Sequence, residues 1–290
     1  MLGLYGKKDI KVDPKYFGFR RKIQNKFANN KNPPYLCTHK PKFIYLMETD
    51  IIYNEDCLET LARMEDNSID LIVTSPPYNK NFYAPSSGKS ESWSAMRGRQ
   101  IPYDKYSDSM PPQEYENWQR KIISECIRVL KPSGSLFYNH KDILVEGGIV
   151  CPSYVYDFNV HQQIIWDRGS SLANDPHYFQ PITEYIYWIV KDKKEFFFDK
   201  SKSAFRQNIW RMNVDKNPHP APFPYIMAAN IINCCSKEGD IVYDPFMGSG
   251  TTALASVKLG RHYIGSEISE NYISMAKEKI RIEQSQLTLF

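Results

Sequence analysis

The sequence predicts an α/β fold with a mostly parallel sheet, and three observations predict it. Short apolar runs alternate along the chain with segments of helical period. Several runs, such as Asp70-Leu71-Ile72-Val73, are continuously apolar rather than alternating, as in strands covered on both faces. Two unusual turns each follow such a run directly, where α/β sheets place their ligands.

In chain order, Ile51-Ile52-Tyr53 is the first strand. Residues 56–64 form a helix with Leu58, Leu61 and Ala62 on one face. The strand 70–73 runs into Thr74-Ser75-Pro76-Pro77-Tyr78. From 79 to 110 periodicity is lost, and a long mobile loop is expected, because loops of this length in a compact domain are functional or disordered. Pro112 suits a first helical turn, and Tyr115, Trp118, Ile122, Cys126 and Val129 line one face of the helix it opens. That helix stops at Lys131-Pro132-Ser133-Gly134, before a strand at 135–138. Strands follow at 163–166 and 185–190, then an irregular polar stretch over 191–220. Pro224 opens a helix through Ile226, Ala229 and Ile232 that ends by Gly239. The strand 241–243 feeds Asp244-Pro245-Phe246-Met247-Gly248-Ser249-Gly250-Thr251-Thr252. A helix at 252–259, a strand at 262–265 and a last helix from about Ser269 complete the order.

A length of 290 residues suits one domain with insertions. The reading divides it into a basic arm at 1–43 and a domain at 44–290 with a small insertion near 191–218. No apolar run approaches the roughly 18–20 residues of a bilayer span, and the first residues lack the apolar stretch of a signal peptide, so a cytoplasmic protein with no membrane partner is expected. The six cysteines form no Cys-x-x-Cys pair, and no metal is expected. The net charge is only +4, but 11 basic residues lie within positions 1–43 against Asp9 and Asp13. An arm of this kind can neutralise phosphates; it also fits a solvated extension without a partner.

The segment 244–252 reads as strand, glycine turn and helix start. Gly248 and Gly250 permit positive φ and a close approach of backbone to ligand. Glu267 ends the next strand, 19 positions beyond Gly248 (267 − 248), a placement that suits ribose hydroxyls. The segment has neither the third glycine of a dinucleotide fingerprint nor a phosphate-loop lysine. A nucleoside without phosphate is expected, and S-adenosylmethionine is such a ligand.

In the other segment, Pro77 stiffens the chain so that the Pro76 carbonyl has a fixed direction. Ser75 adds a hydroxyl acceptor and Tyr78 a flat ring. Together they could hold a planar base bearing an amino group. That nitrogen is a poor nucleophile because its lone pair is delocalised into the ring. Two acceptors holding its protons would favour a tetrahedral nitrogen able to attack a sulfonium methyl group directly, a matter of orientation and preorganised electrostatics.

These segments resemble motifs of the DNA amino-methyltransferases of bacterial restriction–modification systems, over roughly residues 53–290. Thr74-Ser75-Pro76-Pro77-Tyr78 is similar to their catalytic motif and residues 244–251 to their cofactor motif. The catalytic segment comes first, as in the family's β group. The resemblance implies a Rossmann-like methyltransferase fold, with a seven-stranded, mostly parallel sheet containing one antiparallel strand. It implies catalytic roles for Ser75, Pro76, Pro77 and Tyr78. It implies cofactor contacts from Asp56, Thr74, His219, Pro220, Phe223, Asp244, Pro245, Phe246, Gly248, Gly250, Thr251 and Glu267. Serine rather than aspartate at position 75 goes more often with cytosine N4 than with adenine N6 as the target. Methylation of adenine, of RNA or of protein, and a non-catalytic DNA-binding role, are the alternatives. Duplex DNA is the expected partner, with the target base flipped out of the stack. Lys80, Arg97, Arg99, Lys105, Arg206 and Arg211 are candidate contacts to it. A cognate restriction endonuclease, and a monomer or homodimer, complete the expectation.

Overall fold

Strand burial follows the two-residue period of extended chain. In β2 (Ile69–Thr74), Ile72 faces one core while Leu71 and Val73 face another, and all three are at most 2% exposed. Strand β9 (Ile241–Asp244) divides in the same way, with Tyr243 on the first face and Val242 on the second. Both faces are apolar, so the runs read as continuous. Burying each large aliphatic side chain contributes about 1.5–3 kcal/mol.

The computed structural model describes residues 48–83, 103–145, 148–170, 179–215 and 223–287. They belong to one unit, Tyr45–Phe290, and the expected basic arm lies outside the described residues. The remaining strands are β1 (Ile51–Tyr53), β3 (Leu130–His140), β4 (Ile143–Val145), β5 (Gly148–Val150), β6 (Val160–Asp167), β7 (Thr183–Val190), β8 (Ile209–Arg211) and β10 (His262–Ser266). The helices are α1 (Cys57–Arg63), α2 (Pro112–Val129), α3 (Tyr225–Cys235), α4 (Thr251–Lys258) and α5 (Glu270–Leu287). The main sheet has the order β1-β10-β9-β2-β3-β7-β6-β8, and β4 and β5 form a separate hairpin.

Every neighbouring pair in the main sheet is parallel except β3–β7 and β7–β6, so β7 alone runs against the rest. The α/β class and the single antiparallel strand are as expected. Among the described residues the count is eight rather than seven, because β8 adds a three-residue strand beside β6. Its signal is weak: only Trp210 turns inward, where it stacks on Phe205 at 4.8 Å. Strand β3 begins at Leu130, directly after α2, and not at 135; its pairing to β2 shifts register between Ile69 and Leu71, which absorbs Lys131-Pro132-Ser133-Gly134.

Helices α1 and α2 pack Leu61, Ile122 and Val129 on the face that carries Ile72, Leu136 and Tyr243, and α3 packs Met227 and Ile231 on the face that carries Leu71, Phe137 and Val242. Helix α1 is capped by Asp56, whose carboxylate accepts from the Leu58 N–H at 2.8 Å. Because β9 and β2 are neighbours, the two special turns emerge side by side from the same end of the sheet.

Candidate functional site

The two turns are fastened together beneath the site. Asp244, fully buried at the end of β9, accepts from the Thr74 hydroxyl across 170 residues of sequence at 2.7 Å. It also accepts from the Thr252 hydroxyl at 2.7 Å and the Phe246 N–H at 3.0 Å. Burial pushes its carboxyl up to about 6, against the pull of these donors. Asp244 and Thr74 therefore set the spacing of the turns from below.

Above them lies a cavity whose walls include Ser75, Pro76, Pro77 and Tyr78 on one side and Pro245, Phe246 and Gly248 on the other. Asp56 and Glu267 also line it. Gly248 has φ +51° and its N–H donates to a Glu267 oxygen at 2.9 Å, while the second Glu267 oxygen accepts from the Ser269 N–H at 2.9 Å. Burial raises the Glu267 carboxyl, and these backbone donors oppose it. Gly250 and Thr251 do not line the cavity. A Cβ on Gly250 would lie 2.5 Å from the Ala276 Cβ of α5, so that glycine serves helix packing. Phe223 is buried in the α3 core, and His219 and Pro220 lie outside the described residues.

Residues 103–110, expected as part of an irregular loop, form a strap held at both ends. Asp104 accepts from the Ser269 hydroxyl at 2.6 Å and the Asn271 amide at 2.9 Å. Asp108, fully buried, accepts from the N–H groups of Asn79 at 2.7 Å and Lys80 at 2.9 Å. Asn79 has φ +60° and exchanges amide hydrogen bonds with the Met110 backbone, both 2.7 Å. The strap carries Tyr103, Lys105 and Tyr106 to the cavity wall. Tyr106 stacks on Trp118 at 5.9 Å, and Trp118 meets Phe246 edge-on at 5.8 Å. Among the described residues the buried Tyr106 hydroxyl has no partner. Aromatic walls, an acceptor carboxylate at the strand end and a glycine backbone fit a nucleoside-type cofactor without phosphate.

On the other side of Ser75 is a polar cluster that sequence reasoning missed. Tyr78 is 7% exposed, and its hydroxyl meets Ser75 Oγ at 2.8 Å, Glu184 Oε2 at 3.0 Å and Asn139 Nδ2 at 2.6 Å. Burial, then the Glu184 charge, raises its phenol well above the ordinary tyrosine range. Glu184 is the second residue of β7, and because β7 is antiparallel its start lies at the end of the sheet where Thr74 and His140 close β2 and β3. Arg168 binds the second Glu184 oxygen at 2.8 Å. His140 packs on the Tyr78 ring at 4.6 Å, and burial pushes it down to about 4. Lys141 lies 5.6 Å from the centre of the same ring and is pushed down by burial to about 8. The Tyr115 hydroxyl donates to the Pro77 carbonyl at 2.8 Å and so steadies the turn.

Of the expected DNA contacts, Lys80 is partly buried, and burial lowers its ammonium. Lys105 lines the cavity, Arg206 is exposed, and Arg211 is exposed while bonded to Asp167 at 2.8 Å. Arg97 and Arg99 lie outside the described residues. Among the described residues no metal-binding group of His, Cys, Asp or Glu is found, and no helix is long and apolar enough to cross a membrane.

Comparison with known proteins follows the same lines. Residues 69–278 match the N6/N4 methyltransferase family model, described as DNA methylase. The type II methyltransferase M.BglII of Bacillus subtilis is 29% identical over 281 residues, covering 83% of this chain and 71% of its own. The type II methyltransferase M.ScaI of Streptomyces caespitosus is 27% identical over 275 residues, covering 82% of this chain and 83% of its own. Among solved structures, the cytosine-N4-specific PvuII DNA methyltransferase superposes with TM-score 0.62 at 19% identity, over 81% of this chain and 88% of its own. A Thermus thermophilus DNA modification methylase in complex with S-adenosyl-L-methionine gives TM-score 0.58 at 23% identity, over 80% of this chain and 93% of its own.

Proposed function

Since the chain belongs to the N6/N4 family of DNA methylases and uses S-adenosylmethionine as cofactor, we propose that it methylates the N4 amino group of cytosine in a flipped-out base of duplex DNA. The observation that carries the choice of base is Ser75, which stands on the cavity wall where a carboxylate would otherwise head the Pro76-Pro77-Tyr78 turn.

The cofactor supplies an electrophilic methyl group on sulfonium. The chain's own residues do the rest. Glu267 accepts from the ribose hydroxyls, Gly248 lets backbone approach the ligand, and Asp56 reaches the adenine. Phe246 and Trp118 enclose the apolar part. Thr74 and Asp244 hold the two turns at a constant distance. Ser75 Oγ and the Pro76 carbonyl accept the two amino protons and turn the nitrogen lone pair toward the methyl carbon. Extruding the base costs a few kcal/mol, and stacking on aromatic side chains offsets part of it. Lys80, Lys105, Arg206 and Arg211, with Arg97 and Arg99, contact the DNA. The likeness to type II methyltransferases supports a role beside a cognate endonuclease, with this chain acting as a monomer or homodimer in the cytoplasm.

The test is the product. DNA incubated with the protein and labelled cofactor, then digested to nucleosides, is expected to yield labelled N4-methylcytosine. N6-methyladenine as the only labelled product would overturn the choice of base and leave the class intact.

A further inference from the structure

We propose that Glu184 is a positioning residue for the transfer step, its carboxylate ending a hydrogen-bond chain that runs from Ser75 through the Tyr78 hydroxyl. The inference rests on the reading above that Ser75 meets the target amino group.

The direction of the chain follows from donor counting. Glu184 is an acceptor on both oxygens: Arg168 Nη1 lies 2.8 Å from Oε1, and Oε2 faces Tyr78 at 3.0 Å and Asn139 Nδ2 at 3.1 Å. Tyr78 has one proton to give, and the charged acceptor takes it. The Asn139 amide also donates to the Tyr78 oxygen at 2.6 Å, which leaves that oxygen able to accept only from its remaining side, where Ser75 Oγ stands 2.8 Å away. Ser75 therefore spends its single proton on Tyr78 and, with the Asn139 amide facing its oxygen at 3.4 Å, keeps a lone pair for a ligand in the cavity it lines. The arrangement makes a neutral serine a stronger acceptor, because each hydroxyl is polarised by the next and the last by a carboxylate.

The cluster is sealed and anchored. The Tyr78, Asn139 and Glu184 residues are 7%, 3% and 6% exposed. Arg168 balances the charge with an ion pair in which the Glu184 side chain is only 8% exposed. Among the described residues the Asn139 side-chain oxygen is buried without a partner, whereas its amide nitrogen faces Tyr78, Glu184 and Ser75, so the side chain is oriented by what it gives to them. A residue kept only to fill the core would not need this orientation.

In the step itself, the amino nitrogen forms a bond to the methyl carbon as the carbon–sulfur bond breaks and its electron pair stays on sulfur. The nitrogen, now positive, passes one proton to Ser75. Ser75 passes its own to Tyr78, and Tyr78 passes its own to Glu184. Once the methylated base departs, the proton returns along the same chain to Ser75 and leaves through the cavity that Ser75 lines.

Glu184→Gln keeps size and an acceptor but removes the charge. Single-turnover transfer to unmodified plasmid DNA is expected to slow by about 100-fold, the order for losing a proton acceptor. Cofactor affinity and the KM for DNA stay as in the parent protein, which a loosened fold would not allow. Tyr78→Phe breaks the chain while leaving the Glu184–Arg168 pair in place, and covers the case in which Glu184→Gln fails to fold. The two substitutions together are expected to slow transfer no further than either alone, and Glu184→Asp to restore part of the rate. Infrared difference spectra of one turnover provide a readout besides rate: a protonated carboxyl band that is absent from Glu184→Gln. Wild-type rates in Glu184→Gln, or losses that multiply in the double variant, would overturn the relay while leaving the methyltransferase reading untouched. A parent protein that transfers no methyl group to DNA would overturn that reading, and the relay with it.

Discussion

Gly250→Ala is expected to lower the free energy of unfolding by about 3 kcal/mol, from backbone strain and overpacking together. Gly250 holds φ +84° as the residue that opens α4, a conformation that costs any residue with a side chain. The added methyl would also lie 2.5 Å from the Ala276 Cβ and 3.0 Å from its Cα. Neither neighbour is the tip of a flexible chain, so α5 as a whole must move away from the turn. Gly239→Ala is the control. Gly239 holds a similar φ of +82°, but its new methyl would meet nothing within 4 Å, so it carries the strain without the packing clash. Urea denaturation followed by circular dichroism compares the two. A loss for Gly250→Ala no larger than that for Gly239→Ala would contradict the packing role.

Glu267→Ala is expected to raise the Kd for S-adenosylmethionine by about 100-fold, roughly 2.7 kcal/mol. The carboxylate has two tasks. It holds the Gly248 and Ser269 N–H groups, each at 2.9 Å, and so shapes the glycine turn. It also faces the cavity as an acceptor. A charged acceptor is worth about 1.5–3 kcal/mol, and the turn loses its template as well. Glu267→Gln keeps one acceptor and is expected to fall between the two. Acid should act in the same direction. Burial raises this carboxyl, so as pH falls through its raised value the acceptor protonates and cofactor affinity drops. Calorimetric titration at two pH values checks both statements. An unchanged Kd for Glu267→Ala would remove Glu267 from the cofactor site.

Gly250 also illustrates where a motif and its cause separate. In the sequence, Gly248 and Gly250 are equal partners in a ligand-binding turn. In the structure Gly248 lines the cavity and Gly250 supports α5. Asp244 separates in a similar way: it lies under the site, bonded to Thr74 and Thr252, rather than on its wall.

What the sequence by itself determined is whatever rests on short-range chemistry. Apolar period placed β1, β2, β9, β10 and α2, and Pro112 marked the start of α2 to the residue. Gly248 at φ +51° and the two prolines after β2 are local constraints, visible without neighbours. The polar residues that surround Ser75 carry no such local mark. Glu184 lies 106 positions from Tyr78 and Asn139 lies 61 positions away, each at the end of an otherwise apolar strand. Only the pairing of β3 with an antiparallel β7 brings them to one end of the sheet. Asp108 likewise becomes meaningful only where the strap folds back onto Asn79 and Lys80. Local dihedral preferences and apolar period act over a few residues. The acceptor strength of a hydroxyl depends on what stands behind it, and that is decided by tertiary contact.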